Sequence, residues 1–533
     1  MTTPDPMPLD AEPPVPVLLR RWAATQPDAT FCTEVGGRSL SYGAFDAEAR
    51  GWTRALAASG IGPGDIVLTM LPTCCDALAV WMGIAGLRAV DAAVNTDFTG
   101  RMLEYVVADT GASLAIVHAD YVGRFDGLGS LAALRRIVVV GAAPARAQTS
   151  CEVVGAAGFL AAGAGSFEPD SPPARHDISC VIYTSGTTGP SKGVLVPWAQ
   201  LAATMPAEWA TGAGTREAQY MPLPMYHVAG RTSAVFAARH GGRIVLRRTF
   251  SVEGFWSDIR AHQCTFALIA GGMSNFLFRR PPQPDDAHNP LGKIVMAPVI
   301  PEHEEFARRF GVEIVTGFNM TETSLPLYFP DGIPDWKACG RLREGYPWYE
   351  VRVVDEFDNE VPAGQVGELI VRTGAPWTLN AGYLGKPAAT VAAWRNGWFH
   401  TGDAFRADPD GSYFFVDRFK DAIRRRGENI SSFEVEAIVS DHPAVAECAA
   451  VGVPSEHGED DVQVFVVARD GARVDPPELI EFLRPRMPRF MLPRFVQVVT
   501  GLPKTEATHR VRKHELRDLA DPAVRWDRES PER

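Results

Sequence analysis

Eleven consecutive residues, Tyr183-Thr184-Ser185-Gly186-Thr187-Thr188-Gly189-Pro190-Ser191-Lys192-Gly193, hold five Ser or Thr hydroxyls, three glycines and one lysine. An apolar pair, Val181 and Ile182, comes just before them. That combination suits phosphate. Glycines let a backbone turn its N–H groups toward one anion, the hydroxyls add donors, and Lys192 adds a positive charge. The predicted local structure is a strand opening into a loop, with Thr184, Ser185, Gly186, Thr187, Thr188 and Gly189 around the phosphate. It is not the Walker loop, Gly-x-x-x-x-Gly-Lys-Ser/Thr, because counting from Gly186 puts Ser191 where the second glycine belongs. A Ser/Gly-rich surface linker has a similar composition. The order Thr-Ser-Gly-Thr-Thr-Gly-x-x-Lys-Gly is too particular for one.

Such a loop needs a framework. At 533 residues the chain exceeds the usual single-domain size, so two or more domains are expected. Apolar residues at helical spacing predict a helix from Val15 to Trp22, after a disordered start over residues 1 to about 13. Phe31 followed by Gly36-Gly37 predicts a hairpin, and Ser41-Tyr42 starts a helix that Gly60 stops. Strands are predicted at Val67–Leu71, Ala89–Val94 and Leu114–Val117, with a helix from Cys75 to about Leu87. Strands and helices alternating in this way indicate parallel βαβ units. Residues 140–177, rich in Ala, Gly and Pro, read as a loop-rich connection. Strands at Val445–Val451 and Val462–Val467 and a helix at Pro477–Met487 form a compact terminal segment.

Composition excludes several roles. A net charge of −12 and a pI near 5.6 argue against nucleic-acid binding, which needs a basic face. Two basic clusters, Arg424-Arg425-Arg426 and Arg243 to Arg248, would attract an anionic cofactor or serve as solvated faces and ion-pair partners. Eight cysteines show no C-x-x-C spacing, as fits a reduced, cytoplasmic compartment. The first fourteen residues have no basic region or apolar core, so no signal peptide is expected, and no apolar run reaches spanning length.

Four further segments complete the pattern. Met221 to Gly230 is a prolyl-stiffened apolar run ending in His227-x-x-Gly230; by itself such a histidine is more often a core or capping residue. Gly317-Phe318-Asn319-Met320-Thr321-Glu322-Thr323 follows an apolar strand, Val312 to Val315, and a helix N-cap with a first-turn acid is a second reading of Thr321-Glu322. Asn396 to Asp403 reads Asn-Gly-Trp-Phe-His-Thr-Gly-Asp, where the aspartate is also a possible turn residue. Asp417-Arg418-Phe419-Lys420-Asp421-Ala422-Ile423 precedes Gly427-Glu428-Asn429-Ile430.

Together with the loop at 184–193, these segments resemble the motifs of the ANL superfamily of adenylate-forming enzymes: acyl-CoA synthetases, peptide-synthetase adenylation domains and firefly luciferases. The resemblance runs from about Leu40 to Leu516, and within the superfamily the chain looks loosely like acyl-CoA ligases of carnitine-type or diterpenoid-antibiotic pathways. It implies an α/β fold, with a large multi-subdomain N-terminal body (1–419) and a small mobile α+β C-terminal lid (421–533) hinged at Lys420. It implies ATP or AMP, Mg²⁺ and coenzyme A as cofactors and a carboxylic acid as substrate, with no nucleic acid and no membrane span, and it leaves a homodimer open. His227 would border the carboxylate, and apolar residues through Ala270-Gly271-Gly272-Met273 would line the acyl pocket. Phe318 would stack on adenine, Thr321 would lie near the α-phosphate, and Glu322 would supply the hard oxygen that Mg²⁺ prefers. Asn319 replaces a glycine and is one of the few residues that also tolerate left-handed backbone. Asp403 would grip the ribose hydroxyls, and Arg418 would touch ribose or phosphate. Gly427 and Glu428 would flank the pantetheine arm.

One segment departs. The superfamily has Pro-Lys/Arg-Thr/Asn-x-x-Gly-Lys-Val-x-Lys/Arg near its C-terminus, with a lysine that contacts the carboxylate during adenylation. Here Pro503 to Lys513 places Arg510 at the lysine and His509 at the glycine, with one residue inserted. Guanidinium is bulkier than ammonium and spreads its charge. The expected function is therefore an acyl-CoA ligase working through an acyl-adenylate. The alternatives are an enzyme impaired in adenylation that mainly moves a preformed acyl-adenylate to CoA, and a module that binds acyl-AMP or acyl-CoA without turnover. A luciferase-like oxygenase and a stand-alone enzyme loading a carrier protein share the same motifs.

Overall fold

The computed structural model describes residues 12–129, 131, 133–142, 149–165, 167, 169–184, 191–209, 217–418, 422–425, 428–456, 458–503, 511, 513–521 and 523–530. They form two compact units: Met1–Thr96 with Val106–Tyr183 and Gly193–Asp417, and Asp97–Tyr105 with Thr184–Lys192 and Arg418–Arg533.

The first unit is built on two sheets. One has seven strands, in the order Glu152–Gly155, Arg136–Val140, Leu114–His118, Ile66–Met70, Val90–Ala93, Ile178–Thr184 and Lys192–Pro197. Its pairings are parallel from Glu152–Gly155 across to Ile178–Thr184. The predicted βαβ units are therefore present, and Thr184 ends a strand at the carboxyl edge, where open parallel sheets bind ligands. The helix Tyr42–Ala58 starts on Ser41, whose hydroxyl accepts from the Ala44 amide at 3.2 Å. It packs on the helix Cys75–Gly86, which is buried on every side, so its sequence is apolar all round instead of striped.

The second sheet has thirteen strands and changes character along its length. From Thr30–Glu34 through Arg243–Leu246, Ala218–Met221, Phe266–Ala270, Lys293–Ala297 and Glu313–Met320 the pairs are parallel. Beyond Glu313–Met320 they turn antiparallel, through Ser324–Phe329 and Ala338–Leu342 to Ser412–Arg418, while Tyr349–Val354, Val366–Thr373 and Phe399–Ala407 pair antiparallel among themselves. A local hairpin turn, 321–323, makes that switch.

The two sheets are tied by charge. Arg231, 1% exposed, pairs with Asp91 of the strand Val90–Ala93 at 2.5 Å. Asp91 also accepts from the Thr69 hydroxyl at 2.6 Å, and the guanidinium lies 4.4 Å over the Trp81 ring. An aspartate inside an apolar strand needs such a partner to be buried at all.

Two expectations change, and one open alternative is decided. The stretch 140–177 contains a strand, Glu152–Gly155, and a helix, Ala156–Ala162. The helix buries only Phe159, beside Trp52 at 6.1 Å, so its sequence carries no periodic signal. Disorder is expected to about residue 13, but Glu12 is 7% exposed and pairs with Arg239 at 2.7 Å; residues 1–11 lie outside the described residues. The arginines from Arg243 to Arg248 are engaged within the unit: Arg243 donates to the His262 carbonyl at 2.5 Å, Arg247 pairs with Asp258, and Arg248 with Asp120.

The second unit holds a hairpin, Ala422–Arg425 with Glu428–Ser431, and a four-stranded sheet of Val445–Pro454, Asp460–Ala468, Phe495–Val498 and Trp526–Asp527. Helices Ser432–Val439, Pro476–Leu483 and Lys513–Asp518 complete it. Arg425, 2% exposed, is an ion-pair partner of Asp461 at 2.9 Å. Lys513 pairs with Glu436 at 2.5 Å and donates to the Ser432 hydroxyl at 2.6 Å, fixing the start of the helix Lys513–Asp518. Among the described residues no helix is long and apolar enough to cross a membrane.

Candidate active site

The acidic motif is a tight turn between antiparallel strands. Phe318, Asn319 and Met320 end the strand Glu313–Met320, Thr321 to Thr323 make the turn, and Ser324 opens the next strand. No helix follows, so the N-cap reading of Thr321-Glu322 is set aside. Asn319 does not take left-handed backbone either. Its side-chain amide donates across the turn to the Ser324 carbonyl at 2.8 Å, a task a glycine could not perform. Ser324 carries the positive φ, 56°, and its hydroxyl donates to the Thr378 carbonyl at 3.0 Å.

Every residue of the turn is held. The Gln200 amide donates to the Thr321 carbonyl at 2.6 Å. The Glu322 carbonyl accepts from both the backbone amide of Asn380, at 3.0 Å, and its side-chain amide, at 2.9 Å. The Tyr383 hydroxyl donates to the Glu322 carboxylate at 3.3 Å. Burial, and then the Glu322 charge, push the Tyr383 phenol up, so it remains a donor. Glu322 itself is 7% exposed.

Phe318 faces Phe405, ring centroids 4.9 Å apart and nearly perpendicular. Asp403 lies two residues before Phe405 in the strand Phe399–Ala407 and is 2% exposed, which excludes a surface turn. The strand bulges there: Glu368 pairs with Ala404 and Ile370 with His400, so three residues oppose one. Gly402, at φ 72°, permits the bulge, and its amide donates to Glu368 at 2.9 Å. Bulges of this kind re-aim a side chain, here Asp403. Phe405 thus brings Phe318 and the Asp403 strand together.

His227 precedes the helix Val228–His240 in the cap position, but its side chain makes no cap bond. Its ring lies 4.8 Å from that of Tyr226. Gly230 is required where it stands, since a Cβ would come within 2.1 Å of the Pro224 carbonyl oxygen. The next residue, Arg231, donates to the Met225 carbonyl at 2.9 Å and so anchors the run from beneath. Ala270 ends the strand Phe266–Ala270, and Gly271 to Met273 open the helix Gly271–Phe278.

Thr184 and Lys192 flank the phosphate loop; Ser185, Gly186, Thr187, Thr188 and Gly189 lie outside the described residues, as do Lys420, Gly427 and Arg510. Arg418 ends the strand Ser412–Arg418, and Glu428 begins the strand Glu428–Ser431. Within the second unit, the Ser191 amide donates to Glu434 at 2.9 Å.

Sequence reasoning missed Asn380, Tyr383 and the Asp91–Arg231 pair. The aspartate was detectable as the single charge in Ala89–Val94. The other two left no signal, because their partners lie about sixty residues away in the chain. A second acidic group, Glu34, Cys74 and Asp76, has ligand atoms within 4.8 Å of one another. Arg38 already pairs with Asp76 at 2.7 Å, and burial pushes the Cys74 thiol up to about 12. That group is an ion-pair cluster, with its cation supplied by the chain.

Residues 19–384 match the family described as AMP-binding enzyme, and residues 434–508 match the AMP-binding enzyme C-terminal domain. The crotonobetaine/carnitine–CoA ligase of Salmonella paratyphi A is 27% identical over 487 residues, covering 90% of this chain and 93% of its own. A double mutant of the o-succinylbenzoate CoA synthetase of Bacillus subtilis, bound to its product analogue, superposes with a TM-score of 0.80 at 20% identity, covering 95% of this chain and 98% of that one. The amide bond synthetase of Marinactinospora thermotolerans gives 0.77 at 22% identity, covering 95% and 99%. Those two structures bear out the α/β class, with its large N-terminal body and its smaller C-terminal sheet domain.

Proposed function

Because the chain belongs to the AMP-binding enzyme family, the adenylate-forming group its motifs resemble, we propose that it is an ATP-dependent acyl-CoA ligase. A carboxylate attacks the α-phosphorus of ATP, giving acyl-adenylate and pyrophosphate. The CoA thiolate then attacks the acyl carbon, forming the thioester and releasing AMP. No protein nucleophile is needed, so the chain contributes positioning and charge stabilisation.

The observation that carries this proposal is the buried turn at Thr321-Glu322, with Phe318 packed on the strand that presents Asp403. In it, Thr184, Ser185, Gly186, Thr187, Thr188, Gly189 and Lys192 surround the phosphates, Phe318 and Asn319 border the adenine, and Thr321 meets the α-phosphate. Asp403 and Arg418 take the ribose. His227 and Arg510 attend the carboxylate, and Gly427 and Glu428 the pantetheine arm. Glu322 fits Mg²⁺, as a hard, buried oxygen donor steadied by a neighbouring phenol. Bound there, Mg²⁺ would neutralise charge on the phosphates. The C-terminal segment is a lid hinged at Lys420, and the eight free thiols suit a cytoplasmic enzyme. The similarity to crotonobetaine/carnitine–CoA ligases supports CoA as the acceptor.

The test incubates the protein with a panel of acids, ATP, Mg²⁺ and CoA, following thioester and AMP together. The expected result is equal amounts of both with at least one acid. Absence of thioester both from every acid and from synthetic acyl-adenylates would overturn the proposal and favour a binding module. A second reading comes from Arg510 and His509, which alter only the segment used in adenylation. Thioester from synthetic acyl-adenylate without acid-dependent pyrophosphate exchange would establish an enzyme specialised in the second step.

A further inference from the structure

Glu322 does not stand on its own turn alone. Its carbonyl takes both bonds from Asn380, and its carboxylate takes the hydroxyl of Tyr383, only three residues further on. The side-chain oxygen of Asn380 is used as well, accepting from the Gly382 amide at 2.9 Å and the Trp394 indole at 3.2 Å. The Tyr383 amide donates to the Thr390 hydroxyl at 3.0 Å. The Asn380 side chain and the Tyr383 backbone are therefore fixed before they reach the glutamate.

The same segment is linked to both stems of the phosphate loop, directly to one and through Asp109 to the other. Ala381 donates to the Leu195 carbonyl at 2.9 Å, Leu195 to the Gly382 carbonyl at 3.0 Å, and Leu384 to the Gly193 carbonyl at 2.8 Å. Val194 and Tyr383 form an antiparallel bridge there. That is the strand leaving the loop. On the entering strand, the Tyr183 hydroxyl donates to Asp109 at 3.0 Å, and Lys386 pairs with the other oxygen of Asp109 at 2.7 Å. Seven residues thus join the entering stem, the leaving stem and the acidic turn.

We propose that Asn380–Lys386 is a bracket that sets Glu322 in register with the strand ends at Tyr183 and Gly193, and that Tyr383 is its positioning residue, orienting the Glu322 carboxylate toward the metal. The proposal rests on Glu322 as the Mg²⁺ ligand. A phenol bonded to one oxygen restricts the directions in which a carboxylate ligand can face, and loss of such outer partners costs metal affinity about 10- to 100-fold. The backbone bonds serve the register and the phenol serves the aim.

Tyr383→Phe removes one hydroxyl and leaves the ring. The Mg²⁺ concentration giving half-maximal thioester formation is expected to rise about tenfold, with most of kcat recovered at saturating Mg²⁺. A binding readout runs beside it. AMP without metal should raise the variant's Tm as it does that of the unaltered protein, while the additional rise on giving ATP with Mg²⁺ should shrink. An unchanged Mg²⁺ midpoint overturns the proposal. So does an equal loss at all Mg²⁺ concentrations, or loss of the metal-free AMP response, since either marks a purely structural tyrosine. Glu322→Gln separates the two layers. If it leaves the Mg²⁺ midpoint unmoved, the ligand assignment itself falls; if it moves the midpoint and Tyr383→Phe does not, only the bracket falls. In the double variant, Tyr383→Phe should add nothing to Glu322→Gln, as residues acting through one group are non-additive.

Discussion

The proposed mechanism assigns Arg510 to the carboxylate in the first chemical step. Its replacement by alanine is expected to lower acid-dependent pyrophosphate exchange about a hundredfold, the usual cost of one lost charge stabiliser. Transfer from a synthetic acyl-adenylate to CoA should change less than threefold; equal loss in both assays would remove Arg510 from that role. Arg510→Lys should raise exchange if guanidinium is the poorer fit. Another single group contributes to the response to acid. His240 ends the helix Val228–His240, where burial, and then the Arg239 charge, lower its pKa to about 4; Glu12, paired with Arg239, acts in the opposite direction. In the unfolded chain the ring takes a proton near 6.5. Between those values the unfolded state binds more protons, so the stabilisation is complete above about 6.5 and is lost as pH falls toward 4. The loss should come to about 1–3 kcal/mol, given partial solvent screening. His240→Gln should flatten the dependence of Tm on pH over that interval, and an unaltered slope would count against the assignment.

The helix that His227 precedes depends on a close backbone approach. Gly230→Ala places a methyl against the Pro224 and Leu223 carbonyls, and neither is a flexible side-chain end. A destabilisation of about 1–3 kcal/mol is expected, read as a fall in Tm, with activity falling further as the His227 run is displaced. Elements of this kind were legible where the pattern was local. Ser41 with Tyr42 announced a helix start, and Val67 to Leu71 announced a strand. The helix Ala156–Ala162 was not, since one buried phenylalanine makes no period. At the acidic turn, residue types left two geometries open. Thr-Glu after a strand suits a helix start, and only the pairing of Ser324–Phe329 with Glu313–Met320 decides for a hairpin. Tyr383 lay beyond reach altogether, because what gives it a role is a glutamate sixty-one residues away.

Across the whole chain, two half-reactions are assigned to one set of residues. If Lys420 is the hinge between them, Lys420→Pro, which fixes φ, should depress one half-reaction about tenfold more than the other. Pyrophosphate exchange and thioester formation from synthetic adenylate, assayed separately, check this; equal effects on both would argue against a hinge at that residue. A different whole-chain property follows from Asp91 and Arg231, which are 140 positions apart in sequence and 2.5 Å apart in space. Suppose the gene is recombined with that of a relative in search of new acyl scope. Any crossover between codons 92 and 230 draws the aspartate from one parent and the arginine from the other. Where the second parent has neutral residues at those places, each chimera keeps one buried charge without its counterion, at a cost of about 3–5 kcal/mol. Set against a typical net stability of about 5–15 kcal/mol, that is enough to empty much of a library before any substrate is tried. Exchanging both codons together restores neutrality, so productive crossovers belong on either side of this interval.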